Sequence, residues 1–324
     1  MWFVFAVADW SRVCLLYLFA TLLPSAMGGG STAAHGPPLI AAVASGTSAI
    51  ATGGIMLPGR RVSHVLIISE DGLRPDLVER MYLPWHERLL QHGSYTMHAQ
   101  TIRDASTLPA HASMLSGVTP KMHGLTWNGW HPDRGYIKTE TIFSRAQEAG
   151  LKTAFFTGKP KLWHIVPPGS ADISERPGYY CKKVAQEAAN YLVKHRPELA
   201  FAHFSDPDEF GHSKGWLSPE QLKAVSQSDR CIGVLVRALE RADMLKDTLI
   251  IVSADHGGHG HVHSGVLKID REIPWIAMGP GVREHYTIRT PLSTMDTAAT
   301  VFYALGLPMP PGVVGKPRTE IFEK

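Results

Sequence analysis

Asp71, Asp208, His212, Asp255 and His256 are residue types that bind metal ions, and each follows closely on a short apolar run. Ile67-Ile68-Ser69-Glu70 leads into Asp71-Gly72. Phe201-Ala202-His203-Phe204 leads into Ser205-Asp206-Pro207-Asp208-Glu209-Phe210-Gly211-His212, and Ile250-Ile251-Val252 leads into Ser253-Ala254-Asp255-His256-Gly257-Gly258. Three more histidines, His259, His261 and His263, crowd into the residues that follow. Carboxylate oxygen plus imidazole nitrogen suits a borderline divalent ion such as zinc, at about 2.0–2.2 Å per bond. No cysteine joins these stretches, which removes the zinc-finger reading. Asp208 and His212 can meet on one face of a helical turn and share an ion. Asp255 and His256, being adjacent, cannot share a strand face, so they must sit on a bend, which the two following glycines permit. Taken singly, an Asp-Gly after a strand is turn chemistry and a His-rich stretch is a solvated loop or an adventitious metal binder. Three strand ends in one chain, each delivering Asp or His, point instead to a metal site.

The elements that must position these residues alternate between short β-rich runs and helical patterns, the signal for βαβ units and a mainly parallel sheet. In such sheets ligands bind outside the carboxyl ends of the strands, where these residues fall. Strands are expected at His64–Ser69, Thr153–Thr157, Leu199–Phe204, Leu249–Ser253 and Ile273–Met278. Helices are expected over Pro75–His92, Thr139–Ala149 and Asp296–Leu305. Ser218-Pro219-Glu220-Gln221 combines an N-cap, a proline at the first helical position and a capping-box glutamine, and opens a long helix to about Leu245.

The order and spacing of five blocks resemble the alkaline phosphatase superfamily, and within it the type I phosphodiesterase/nucleotide pyrophosphatase family. The blocks are Asp71-Gly72-Leu73-Arg74-Pro75; Thr107-Leu108-Pro109-Ala110-His111 with Ser116-Gly117 and His123-Gly124; Pro207-Asp208 with Gly211-His212; Asp255-His256-Gly257; and Asp296-Thr297-Ala298-Ala299-Thr300. The resemblance spans Val62–Pro317 and implies a three-layer α/β/α sandwich with a mainly parallel central sheet. It also implies two divalent ions, zinc by the donor types. Asp71, Asp255, His256 and the Thr107 oxygen would hold one; Asp208, His212 and a late histidine would hold the other. That histidine is assigned to His263, whose His263-Ser264-Gly265 is similar to the His-Gly element of compact family members, with His261 next and His259 and His285 as further candidates. Thr107 would be the nucleophile, favoured over neighbouring Ser106 by its place two before Pro109, and Asn128 would steady a phosphoryl oxygen. A hydroxyl attacks poorly at neutral pH unless a metal stabilises its alkoxide, and no Ser-His-Asp arrangement is evident to do that work.

The expected reaction is cleavage of a phosphodiester or pyrophosphate bond through a covalent phosphoryl-threonine. The substrate would be a small phosphate ester, with nucleotides the family's commonest. A sulfatase needs Cys or Ser in C/S-x-P-x-R, whereas this chain has Thr107 and puts His111 where the Arg belongs. A phosphomonoesterase needs a strong cation for the doubly charged phosphoryl group, and the Thr107 block has none. That reading and phosphonoacetate hydrolysis, which shares the motifs, stand as alternatives within the superfamily. A non-catalytic exported metal-binding protein is the alternative of another class; it accounts for the histidines but not for Thr107 or Asn128. Among the remaining polar residues, Asp229 reads as a satisfied buried carboxylate on the stripe of Leu222, Val225, Ile232 and Val236. Lys159 and Lys161 read as a solvated charge pair within reach of an anion, and Arg74 as an exposed helix-start residue without a role.

Composition adds bounds. The 324 residues are 44% hydrophobic, enough for one large domain or two modest ones, and 32 basic against 29 acidic residues give no nucleic-acid signal. Residues 1–28 read as a signal peptide, since the apolar run Val13–Leu23 is shorter than the roughly 20 residues a spanning helix needs. Export to the periplasm or the extracellular space follows, with a membrane anchor the weaker reading and no stable membrane partner expected. Residues 29–60, rich in Gly, Ala, Ser, Thr and Pro, read as a flexible linker, and 61–324 as the metallohydrolase domain. Cys181 and Cys231 would be the two cysteines left after export. One disulfide and none both fit, and Cys231 by itself reads as a small buried apolar residue.

Overall fold

The computed structural model describes residues 56–57 and 60–323. The expected signal peptide and most of the expected linker lie outside them. In chain order the elements are β1 (Met56–Leu57), β2 (Arg60–Arg61), β3 (His64–Glu70), α1 (Pro75–Arg80), α2 (Pro84–Gln91), β4 (Gly93–Gln100), α3 (Thr107–Ser116), α4 (Pro120–His123), α5 (Ile142–Glu148), β5 (Thr153–Phe156), β6 (Ile173–Glu175), α6 (Cys181–His195), β7 (Leu199–Phe204), α7 (Asp206–Lys214), α8 (Pro219–Arg241), β8 (Thr248–Ser253), α9 (Lys268–Arg271), β9 (Glu272–Met278), β10 (Tyr286–Thr287) and α10 (Asp296–Leu305). β1 and β2 pair only with each other.

The other eight strands form one sheet in the order β10-β4-β9-β8-β3-β7-β5-β6. Only β9 runs against its neighbours, β4 and β8, so the sheet is mainly parallel, as expected. The non-alternating apolar runs account for its centre. β7 and β8 are buried along their whole length and β3 from Val65 onward, the pattern of strands covered on both faces. Helices pack on each other in two groups, α2 with α6, α7 and α8, and α3 with α5 and α10, which with the sheet between them make the α/β/α sandwich. Register brings the three ligand-bearing strand ends level: Ser69 pairs with both His203 and Ser253, and Glu70 with Phe204.

Several expected elements change. Pro75–His92 is two helices, because Pro84 lacks an N–H and pushes Leu83 out of helical geometry, to φ −126° and ψ 82°. α8 opens at the expected N-cap, where the Ser218 hydroxyl accepts the Gln221 N–H. It stops at Arg241 rather than near Leu245, since Asp243 turns left-handed at φ 53°. β4 and α6 were not foreseen. Cys181 and Cys231 form a disulfide with Cα atoms 6.1 Å apart, tying the start of α6 to α8. Cys231 is thus buried but not a free apolar residue. Among the described residues no helix is long and apolar enough to cross a membrane.

Candidate metal centre and active site

The three central strands each end in a different kind of turn, and together the turns converge their side chains. After β3, Gly72 takes a left-handed φ of 73°, and a Cβ there would lie 3.0 Å from the Asp208 backbone, so only glycine allows Asp71 and Asp208 to approach. The Gly72 N–H also donates to Asp255 Oδ1 at 3.1 Å. After β7, α7 carries Asp208 and His212 one turn apart, with His212 Nε2 3.3 Å from Asp208 Oδ1. After β8, His256 Nε2 lies 3.3 Å from Asp255 Oδ2, 3.4 Å from Asp71 Oδ1 and 3.9 Å from Asp208 Oδ1. His263 reaches in from the following loop, its Nε2 3.7 Å from Asp208 Oδ1. Two groups therefore have ligand atoms within 4.8 Å of one another, Asp71 with Asp208 and His256, and Asp208 with His212 and His263. Asp208 belongs to both.

The donor set suits metal ions on two counts. First, Asp71 Oδ1, Asp208 Oδ1 and Asp255 Oδ2 are buried oxygens without a hydrogen-bond partner, a state that carries a large desolvation penalty unless a cation is bound there. Second, the imidazoles are held in the right tautomer. His212 Nδ1 donates to the His261 carbonyl at 2.8 Å, His256 Nδ1 to the Gly257 carbonyl at 2.8 Å, and His263 Nδ1 to the Ala105 carbonyl at 2.6 Å. A carbonyl only accepts, so Nδ1 carries the hydrogen and the neutral form of each ring has its lone pair on Nε2, aimed at the carboxylates. Burial lowers the His263 pKa to about 4, which keeps that ring neutral at physiological pH. Ala105 is fully buried at a φ of 47°, a strained geometry for a residue with a Cβ, and its carbonyl is the one that fixes His263.

Thr107 is the first residue of α3, a buried ten-residue helix whose N-terminal N–H groups and dipole favour an anion. Its Oγ1 is 3.4 Å from His256 Nε2. Ser106 turns outward and donates to the Asp104 carbonyl at 3.3 Å. Asn128 Oδ1 accepts the Leu108 N–H at 3.0 Å and the Lys161 ammonium at 3.1 Å, and two donors on the oxygen leave its NH2 free. Thr107, Asn128, Lys161, Trp130, Tyr179 and His212 line one cavity of about 270 Å³.

Four residues at this site carried no usable signal in the sequence. Lys159, expected in solvent, is buried, with its ammonium 2.7 Å from Asp71 Oδ2 and 2.5 Å from Asp208 Oδ2. The strand-to-helix turn after β5 folds it inward. His203 sits inside β7, where it reads as a core residue, yet its Nε2 donates to Asp71 Oδ2 at 2.8 Å while Nδ1 accepts the Gly158 N–H. Burial raises the Asp71 carboxyl, but Lys159 and His203 outweigh it and hold it well below the usual range. His111 donates from Nδ1 to the Thr107 carbonyl at 2.8 Å and accepts from Ser69 at Nε2, and burial lowers its pKa to about 4. Trp216 is pressed between Gly211 and Gly258 and donates to the Gly72 carbonyl at 3.0 Å, bracing the turn that carries Asp71. Arg74 is buried too, pairing with Asp76 at 2.8 Å and reaching the Gly258 carbonyl. The remaining histidines point elsewhere: His259 bonds Asp270 at 2.7 Å, His261 is exposed and bonds the His212 carbonyl at 2.9 Å, and His285 is exposed beside Tyr95.

A family model for type I phosphodiesterase / nucleotide pyrophosphatase matches residues 65–275. Venom phosphodiesterase 2 of Crotalus adamanteus is 24% identical over 226 residues, covering 61% of this chain and 27% of the relative. Human ectonucleotide pyrophosphatase/phosphodiesterase family member 5 is 22% identical over 245 residues, covering 69% of this chain and 49% of the relative. The chain thus spans between about a quarter and a half of these relatives' length. Among solved structures, an inactive murine ectonucleotide pyrophosphatase/phosphodiesterase 5 in complex with AMP superposes with a TM-score of 0.69 at 15% identity, covering 81% of this chain and all of that one. A phosphonate monoester hydrolase from Silicibacter pomeroyi superposes with a TM-score of 0.60 at 18% identity, covering 80% of this chain and 76% of that one.

Proposed function

The chain belongs to the type I phosphodiesterase / nucleotide pyrophosphatase family, whose members are metal-dependent hydrolases, and from that premise we propose that it cleaves phosphodiester or pyrophosphate bonds of small phosphate esters, nucleotides among them. The observation that carries the reading is Thr107 Oγ1 at the head of α3, 3.4 Å from His256 Nε2, which itself lies within 3.9 Å of three buried carboxylate oxygens without partners. Asp71, Asp255, His256 and Thr107 would hold one divalent ion, and Asp208, His212 and His263 the other, zinc by the character of the donors. When bound, the ions supply the charge that brings a threonine alkoxide within reach near neutral pH and offsets the charge of the leaving oxygen.

In the proposed cycle the Thr107 hydroxyl loses its proton to water and attacks phosphorus, and the bond to the leaving oxygen breaks. Asn128, its amide oxygen occupied by Leu108 and Lys161, offers its NH2 to a phosphoryl oxygen. Water then hydrolyses the phosphoryl-threonine and restores the hydroxyl. AMP bound to the murine neighbour supports a nucleotide as one product. The Cys181–Cys231 disulfide supports export, since such bonds persist in oxidising compartments.

One observation favours a second reading inside the same chemistry. Lys161 brings to Asn128 a cation that the Thr107 block lacks, and it would meet a further negative charge on the substrate, as in a pyrophosphate, a monoester or phosphonoacetate. Comparing kcat/KM for p-nitrophenyl phosphate, bis-p-nitrophenyl phosphate and p-nitrophenyl sulfate in zinc separates these. The diester is expected to be the best of the three. A monoester preference would move the reading to the dianionic class, and turnover of the sulfate alone would overturn it.

A further inference from the structure

Lys159 carries a charge that the proposed reaction does not use. It follows β5, its side chain is 5% exposed, and its ammonium bridges Asp71 Oδ2 at 2.7 Å and Asp208 Oδ2 at 2.5 Å. These carboxylates come from different strand ends and from opposite halves of the site. The ammonium touches only their Oδ2 atoms, and His203 donates to the same oxygen of Asp71. The Oδ1 atoms of both stay without partners and face the imidazole Nε2 atoms of His256, His212 and His263. Lys159 therefore holds the two carboxylates by the oxygens that face away from the imidazoles, from the wall of the cavity it shares with Thr107 and Asn128. A long ammonium side chain is retained in such a place only where paired charges offset its desolvation.

Resting on the two-metal reading above, we propose that Lys159 is a positioning residue that acts as a resident counter-ion: it cross-ties the two half-sites and keeps the three buried carboxylates folded without metal, while lowering the affinity for metal. Two effects of removing it oppose each other. Losing a supporting hydrogen bond to a ligand carboxylate weakens metal binding by about 10- to 100-fold. Losing a fixed positive charge a few ångströms from a divalent ion, in a buried site where permittivity is low, strengthens binding by more than that. The charge effect wins, so the variant without the lysine binds metal more tightly and depends on metal to stay folded.

The test compares wild type with Lys159→Met, which keeps the stem, Lys159→Arg, which keeps the charge, and Asp208→Asn. Each full-length protein is stripped with a chelator, its melting temperature is read with and without saturating zinc, and its zinc affinity is measured against a chromophoric competitor. Metal-free Lys159→Met is expected to melt about 5 °C or more below wild type, to recover with zinc, and to bind zinc about tenfold or more tightly. Lys159→Arg is expected to follow wild type in both. A purely structural lysine would lower the melting temperature without tightening zinc. Equal or weaker zinc binding by Lys159→Met, an unchanged metal-free melting temperature, or a failure to fold even in zinc would each overturn the proposal. Zinc binding unaffected by Asp208→Asn would instead remove the metal reading on which it rests.

Discussion

Two buried clusters of acids and histidines lie back to back in this molecule, and adjacent residues start them. Glu70 and Asp71 close β3, where successive side chains leave in opposite directions. Asp71 enters the candidate metal centre. Glu70 meets His86, whose Nε2 lies 2.7 Å from Glu70 Oε2 and whose Nδ1 lies 2.9 Å from Asp229 Oδ1. That Asp229 oxygen also accepts the backbone N–H groups of Trp85 and His86 at the start of α2. Both ring nitrogens of His86 donate to carboxylates, so the ring is an imidazolium; burial opposes the charge, but Glu70 and Asp229 raise its pKa to about 9. In the metal centre the Nδ1 atoms of His212, His256 and His263 are bonded to carbonyls instead, which puts the Nε2 lone pairs of their neutral forms beside carboxylate oxygens that have no partner. The same residue types thus make a brace in one place, with one imidazolium between two carboxylates, and an open ligand set in the other. What separates them is the partner of the second ring nitrogen.

The largest expected effect separates chemistry from binding. Thr107→Ala should lower kcat for a nucleotide diester by about 10⁴-fold, and the zinc content, measured after gel filtration, should fall by no more than the one ion that Thr107 would help to hold. Residual turnover within tenfold of wild type would remove Thr107 as the nucleophile. His86→Leu should break the brace and leave two buried carboxylates unopposed, destabilising the fold by about 3–5 kcal/mol in denaturant titration. Zinc content per folded molecule should be unchanged; a parallel loss of zinc would mean that the clusters are one unit.

The brace also predicts a pH dependence. The folded pKa of His86, about 9, stands above its ordinary 6.5, so its contribution is fully present below about pH 6.5 and is lost as pH rises through 9. Wild-type stability should fall by about 3 kcal/mol across that window relative to His86→Leu, and parallel stability curves for the two proteins would contradict the charged brace. The smallest effect discriminates between neighbours in one loop. His263→Ala should weaken zinc by about 10- to 100-fold, whereas His261→Ala, exposed and bonded only to a backbone carbonyl, should change it by less than about twofold. The reverse order would exchange their roles.

How much of this was legible in the sequence follows from how local each cause is. The buried runs before Asp71, Asp208 and Asp255 name the central strands, because a strand covered on both faces must be apolar throughout. Asp229 is recognisable as a satisfied carboxylate from its place on an apolar helical stripe, and its three donors bear this out. The break at Pro84 escaped a reading by hydrophobic period, since the apolar stripe continues across it while the backbone does not. Lys159 was misjudged for a different reason. In sequence it is a charged residue after a strand, and only the folding of β5 beside β7 brings it between two carboxylates 88 and 49 residues away.

Residue type and short-range spacing therefore determined the kinds of ligand, the strand ends that carry them and the layered α/β class, because these depend on periodicity and on the chemistry of single side chains. The tertiary structure decided which histidine of a crowded loop points inward, which oxygen of each aspartate stays free, and which cation bridges two of them. Those outcomes rest on the Ala105 carbonyl, on His203 and on Lys159, groups remote in sequence whose positions exist only once the strands have paired.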